Sequence, residues 1–411
     1  MPELRVQRVL TPARISVLAV AVVLVAASFP PARAAGSLTI APVLSGLAWP
    51  VSLAFAPDGQ WFVAERLSGA IRAVEAGQLL PQPWATLAVV NGGEQGLLSL
   101  AIDPRWSQGQ RWVYAYHTYP NATVGGPMNR VVRLFDSGGV GTNLQVILDG
   151  IPAGSFHNGG ILGFAPDGTL FATTGDAQTA GNAQDLSTPA GKVLRMNPDG
   201  SVPAENPFAA TPGANPYVYT YGHRNVFGLA FRPSTGQPFI TENGPADSDE
   251  VNALVPRGNY GWPTVRGVAG DPRFRDPVFV FPRVIAPTGA AFFVGSQIAN
   301  LSGDLVFGDW NRGALNRLRF LGPTSVQVAF NDTPAYSPEG PQGVLDVDNG
   351  PGGYLYFTTP STIYRVNGTA VERPGGGGPP EVPWWFFPLA GILLVAGATL
   401  AVLWKRRRTA K

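Results

Sequence analysis

The chain has 411 residues, 14% of them charged, with 51 Gly, 40 Pro and no cysteine. Its formal charge of +2 comes from the termini, because residues 35–371 carry 19 Lys and Arg against 24 Asp and Glu. An acidic body argues against nucleic-acid binding, which needs a basic face to neutralise phosphates, and the missing cysteines rule out a disulfide scaffold.

At the N-terminus, Arg5, Arg8 and Arg14 precede the apolar run Ile15–Phe29, and Ala32-Arg33-Ala34 offers a small-x-small cleavage site. Residues 1–34 are therefore expected to be a signal peptide, the alternative being an uncleaved anchor. The body, 35–371, repeats a loose unit of two β-rich runs around a turn. It appears in AFAPDGQWFVAE (54–65), LAIDPRWSQGQRWVYAYH (100–117) and GFAPDGTLFATTGD (163–176). It returns in AFRPSTGQPFITENG (230–244), SGDLVFGDWNRGALNRLRF (302–320) and DVDNGPGGYLYFTT (346–359). Proline sets φ at the first corner of such a turn and glycine supplies the left-handed residue. Six hairpins over this length predict an all-β fold, a six-bladed β-propeller of four-stranded blades, in preference to a large β-sandwich.

Residues 372–383, with PGGGGPP at 374–380, read as a Pro/Gly-rich linker. Residues 384–404 (WWFFPLAGILLVAGATLAVLW) contain no charge and would span about 31 Å as a helix, enough for a transmembrane segment. Lys405-Arg406-Arg407-Arg408 opens the tail, 405–411, and places it in the cytoplasm. The sequence thus predicts an exported body tethered to the membrane by one C-terminal helix.

Three segments carry chemistry. FHNGG (156–160) contains His157, a residue able to accept a hydroxyl proton near neutral pH if it sits at a pocket mouth. Asp176 follows nineteen residues later, where a turn-capping role is the alternative. YGHRN (221–225) supplies Arg224, which can stabilise an oxyanion, and Asn225. In the loop from Gly244 to Tyr260, the carbonyls of Gly244, Pro245 and Tyr260 with Asp249 and Glu250 form a hard-oxygen set suited to calcium, or else an acidic surface loop. His117 and His223 read as structural. The glycine-rich GGEQG (92–96) lacks the strand–helix context of a phosphate cradle.

The order EQGLLSLAIDP (94–104), the His157 segment, GHRN, and GP…DE…NYGWP resembles the soluble quinoprotein glucose dehydrogenase and aldose sugar dehydrogenase family over most of residues 47–366. The resemblance implies six propeller blades and oxidation of an aldose's anomeric hydroxyl to the lactone, with pyrroloquinoline quinone (PQQ) and calcium as cofactors. It implies His157 as the general base and Asp176 as the carboxylate orienting it. Arg224 and Asn225 would lie against the quinone, and Gln95 near the reacting centre. The Gly244 and Pro245 carbonyls would hold one calcium, while Glu250 and Tyr260, with Asp271, would serve a second.

Family members also carry a Lys on the fifth blade and two Arg before the last turn, paired with the cofactor's carboxylates. Asn311, Gly343 and Leu345 occupy those places here, and Arg312, one position off, is expected to substitute in part. Each charge-assisted hydrogen bond lost from such a clamp costs roughly 1.5–3 kcal/mol. The reading is a membrane-tethered extracytoplasmic PQQ-dependent aldose dehydrogenase acting on a small-molecule sugar. The alternative is a non-catalytic calcium-stabilised ectodomain binding carbohydrate or protein, as some animal relatives bind signalling proteins.

Overall fold

A computed structural model describes residues 38–323, 326–329 and 342–369. The expected signal peptide, linker, transmembrane helix and tail lie outside the described residues. Among the described residues no helix is long and apolar enough to cross a membrane.

The described residues form six sheets in succession, antiparallel apart from one short parallel pair. Their innermost strands are Pro50–Phe55, Leu97–Ile102, Gly159–Phe164, Val226–Phe231, Pro287–Phe292 and Val347–Asn349. Each packs against its neighbours in sequence, and the sixth returns to the first, so the ring closes. The closing blade is shared between the two ends of the body. The first described strand, Leu38–Ser45, pairs antiparallel with the last, Thr362–Thr369, in the register Leu38↔Gly368 to Ser45↔Thr362. A closed ring covers the inner edge of every sheet and leaves only outermost strands as edges, among them the partly exposed Gly141–Pro152 of blade two.

Five of the six repeated units are the hairpins joining an innermost strand to the next one out. At the Pro-Asp-Gly turns, Gly59 (φ +91°) and Gly168 (φ +82°) adopt the left-handed conformation the reversal needs. Blade five departs from the pattern. Its unit, 302–320, joins the second and third strands, Leu305–Asp309 and Ala314–Phe320. The inner connection instead detours through Ile298–Ala299, which pairs in parallel with the end of the closing blade.

Second strands such as Trp61–Glu65, Leu170–Thr174 and Leu305–Asp309 are buried along their whole length, because both faces of a blade are covered by neighbouring blades. The core is accordingly six apolar wedges between blades rather than one central mass. Between blades one and two, Phe62 packs edge-on to Trp84 and Trp106, and Trp84 Nε1 donates to buried Asp136 at 2.7 Å.

This topology has one functional consequence. Residues entering an innermost strand and residues leaving the adjacent second strand meet at the same end of the ring. Glu94, His157, Arg224 and Leu345 belong to the first set, and Arg66, Asp176, Asn243 and Trp310 to the second.

Candidate active site

At that end a cavity of about 340 Å³ opens near the axis, lined largely by apolar and aromatic side chains. His157 stands beside its wall, between the lining residues Phe156 and Gly159. The backbone at His157 is left-handed (φ +62°), an unusual conformation for a residue with a Cβ. Gly175 leaves room for it, since a Cβ there would lie 2.1 Å from the His157 carbonyl oxygen.

His157 Nδ1 lies 2.8 Å from Asp176 Oδ1. A carboxylate only accepts, so Nδ1 carries the proton and Nε2 is left as the acceptor of a base. Asp176 is almost fully buried and is itself held: Oδ1 accepts from Gln178 N–H at 2.8 Å, and Oδ2 from Trp262 Nε1 at 2.8 Å.

Arg224 donates from Nη1 to the carbonyls of Asn243 (3.0 Å) and Gly244 (2.9 Å), with its guanidinium over Trp262. Burial lowers its pKa, though it remains a cation at any physiological pH. Asn225 is buried; its Oδ1 accepts from Gly159 N–H at 3.2 Å, and its Nδ2 donates to Glu94 Oε2 at 3.1 Å. The same Glu94 oxygen accepts the His157 N–H at 2.7 Å. Glu94 therefore ties the His157 and Asn225 segments together and faces the cavity.

Gln95, expected in this place, is buried one residue away, with its backbone N–H on Gly92 and its carbonyl taken by Arg66. The turn that presents Glu94 turns Gln95 inward. Their adjacency in sequence hid which of the two would face the site.

The oxygen-rich loop is divided. Asp249 is fully buried, and its carboxylate accepts three backbone N–H groups, from Gly244, Ile285 and Ala286 at 2.7–2.9 Å. Its charge is spent on tying the loop to blade five, which sets it apart from the expected metal ligands. Asp271 pairs with Arg273 at 2.7 Å on an exposed stretch, and the small cavity that Glu250 borders does not include it. The Gly244 carbonyl serves Arg224.

Glu250 is the donor that fits a hard cation. Buried beside Glu242, it is pushed up to about 8 by desolvation and then by its neighbour's charge. Both carboxylates border a small cavity of about 20 Å³, with Gly244, Pro245 and Tyr260 in its wall. That volume suits a single ion or water. Asn243, whose Oδ1 is a buried acceptor without a partner among the described residues, lines this cavity and the larger one. Among the described residues no three His, Cys, Asp or Glu side chains converge in a metal-holding cluster, so backbone carbonyls would have to complete the shell.

The positions expected to be cationic are also resolved. Asn311 points away and donates to the Val284 carbonyl. Arg312 is half-exposed and paired with Asp309 at 2.6 Å, off the cavity wall. Leu345 lines the cavity, and Gly343 lies beneath Trp310, whose ring would be 2.1 Å from a Cβ there. An indole fills the room that a side chain at 343 would need.

The His157–Asp176 pair and Asn225 thus stand at the edge of a mostly apolar cavity, with Arg224 next in the chain. Among solved structures the chain resembles a provisionally assigned glucose dehydrogenase of Thermus thermophilus (39% identity, 80% of this chain and 100% of that one, TM-score 0.73). It also resembles the PQQ-bound aldose sugar dehydrogenase of Streptomyces coelicolor (31%, 81% and 98%, TM-score 0.69). A curated relative, an aldose sugar dehydrogenase of Escherichia coli, is 27% identical over 75% of this chain and 86% of its own length. The family model described as glucose/sorbosone dehydrogenase matches residues 47–365, and the chain belongs to that family.

Proposed function

We propose that the protein is a PQQ-dependent aldose dehydrogenase, exported and held at the membrane by its C-terminal helix, that oxidises the anomeric hydroxyl to the lactone. The observation that carries this reading is the buried Asp176 holding His157 with Nε2 as acceptor beside the cavity. His157 takes the hydroxyl proton, and Asp176 stabilises the imidazolium that results. Arg224 places a fixed positive charge beside the reacting centre, where an oxyanion develops. Glu94 and Asn225 keep the segments bearing these groups in register. Apolar walls limit water. PQQ, when bound, supplies the acceptor for the hydride leaving the anomeric carbon. Calcium would be held by Glu250 with carbonyls of the Gly244–Tyr260 loop. The electron acceptor that reoxidises the cofactor is a separate partner.

The test uses the full chain in detergent with calcium and PQQ. The expected result is a bound-quinone absorbance and dye reduction that depends on an aldose; neither appearing overturns the reading. Shortening the chain after Arg373 should release it from membranes, and a truncated protein that still sediments with lipid overturns the tether.

A second reading is favoured by Asn311, Gly343 and Leu345 at the clamp positions: a calcium-stabilised propeller that binds carbohydrate or protein without turnover. It predicts sugar or protein binding with no quinone uptake.

A further inference from the structure

The end of the cavity formed by blades one, five and six is walled by Trp49, Trp310 and Leu345. The two indoles are 5.6 Å apart, and the Arg66 guanidinium lies over the Trp49 ring at 4.6 Å. Arg66 is the one Lys or Arg among the described residues lining this cavity.

Its surroundings hold it still, and the Glu94 carboxylate on the same wall acts on its charge without a contact ion pair. Nη1 donates to the carbonyls of Gly93 and Gln95, while Nε is buried without a partner. Arg66 makes no ion pair among the described residues, and Glu94 Oε2 is committed to His157 and Asn225. Burial lowers the pKa of Arg66, and the Glu94 charge opposes that shift only in part. A guanidinium fixed on two carbonyls and an indole, on the wall of a cavity, is preorganised for a planar anion.

We propose that Arg66 is the anion anchor of this cavity and receives a carboxylate of the planar quinone, in place of the cations that Asn311, Gly343 and Leu345 do not supply. The inference rests on the cofactor reading above and deepens it. One anchor on blade one replaces a clamp on blades five and six. The Trp49–Trp310 pair takes the space of that clamp and offers the ring an apolar edge.

The experiment measures binding by calorimetry, with the full chain in detergent and calcium present. Two probes are used: PQQ, which carries carboxylates, and phenanthrenequinone, a flat ortho-quinone without charge. Arg66→Gln should weaken PQQ binding by about 10- to 100-fold, the worth of one charge-assisted hydrogen bond. Phenanthrenequinone affinity should not change. Arg66→Lys keeps the charge without the planar fork, so it should lose only a few-fold for PQQ and nothing for the neutral probe. This variant carries the test alone if the glutamine variant does not fold.

PQQ binding by Arg66→Gln within about twofold of wild type overturns the anchor and leaves the cofactor reading standing. Equal losses for both probes also overturn it, because they mark Arg66 as a support of the cavity's shape. A wild-type protein that binds no PQQ overturns the cofactor reading and the anchor together.

Discussion

The base role proposed for His157 rests on what surrounds it. Asp176 fixes the Nδ1 proton, and both Asp176 oxygens are satisfied by Gln178 and Trp262, so the carboxylate cannot swing away. His157→Ala should therefore fold normally and lose about 10²–10⁴ in sugar-dependent turnover, measured by dye reduction with PQQ supplied. Asp176→Asn should lower the same rate by roughly 10- to 100-fold while leaving PQQ binding unchanged, because it disturbs the tautomer and not the cavity. A glycine makes the opposite point. Gly343→Ala would drive a methyl into Trp310 and should cost about 1–3 kcal/mol in denaturant unfolding. An unchanged midpoint would show that Trp310 yields easily, and that a larger side chain at 343 is tolerable.

At the scale of elements, the connection after the second strand of blade three carries Asp176 and runs to Lys192 at the start of the third strand. Lys192 is fully buried, and its Nζ donates to the carbonyls of Asn182, Ala183 and Ala190 at 2.6–3.3 Å. Burial pushes its pKa down to about 7. Asn182 in turn donates to the Asp176 carbonyl, so this ammonium braces the loop behind His157 and Asp176. Lys192→Met leaves the buried Ala190 carbonyl without a donor, while Asn182 and Ala183 keep the N–H groups of Asp185 and Gly222; it should cost roughly 1–3 kcal/mol, read as a lower unfolding midpoint. The hairpins of this fold were legible because a Pro-Asp-Gly turn and its flanking β-runs are local. The role of Lys192 was not, since a lysine in KVLRM reads as a solvated strand residue until the loop folds over it. Blade five was read one strand too far out for a related reason: its inner connection is shaped by pairing with the closing blade.

At the scale of the whole molecule, the ring gathers innermost strands around an axial channel, with a second cavity of about 440 Å³ on the side of the inner hairpin turns. Asp346 and Asp348 border it. Burial pushes Asp346 up to about 6, and burial with the Asp346 charge pushes Asp348 up to about 8. Both folded values exceed the unfolded one. Their stabilising contribution is thus fully present below about pH 4 and is lost as pH rises through 6 and then 8. Asp348→Asn keeps an acceptor for the Asn349 N–H and removes the ionisation. Its stability relative to wild type should grow between pH 5 and pH 8.5 in denaturant unfolding. A difference independent of pH would mean that Asp348 titrates normally.

By itself the sequence determined the all-β class, the blade count, the family, and His157, Asp176, Arg224 and Asn225 as the residues to examine. Turn chemistry and ordered motifs are local, and they survive in one dimension. Only the tertiary structure decided which of Glu94 and Gln95 faces the cavity, that Asp249 is consumed by three backbone amides, and that Trp310 lies over Gly343. It alone brought Arg66 to the wall that the expected cations vacate. Each of these depends on contacts between blades far apart in the chain, where side-chain direction and burial are set by closing the ring.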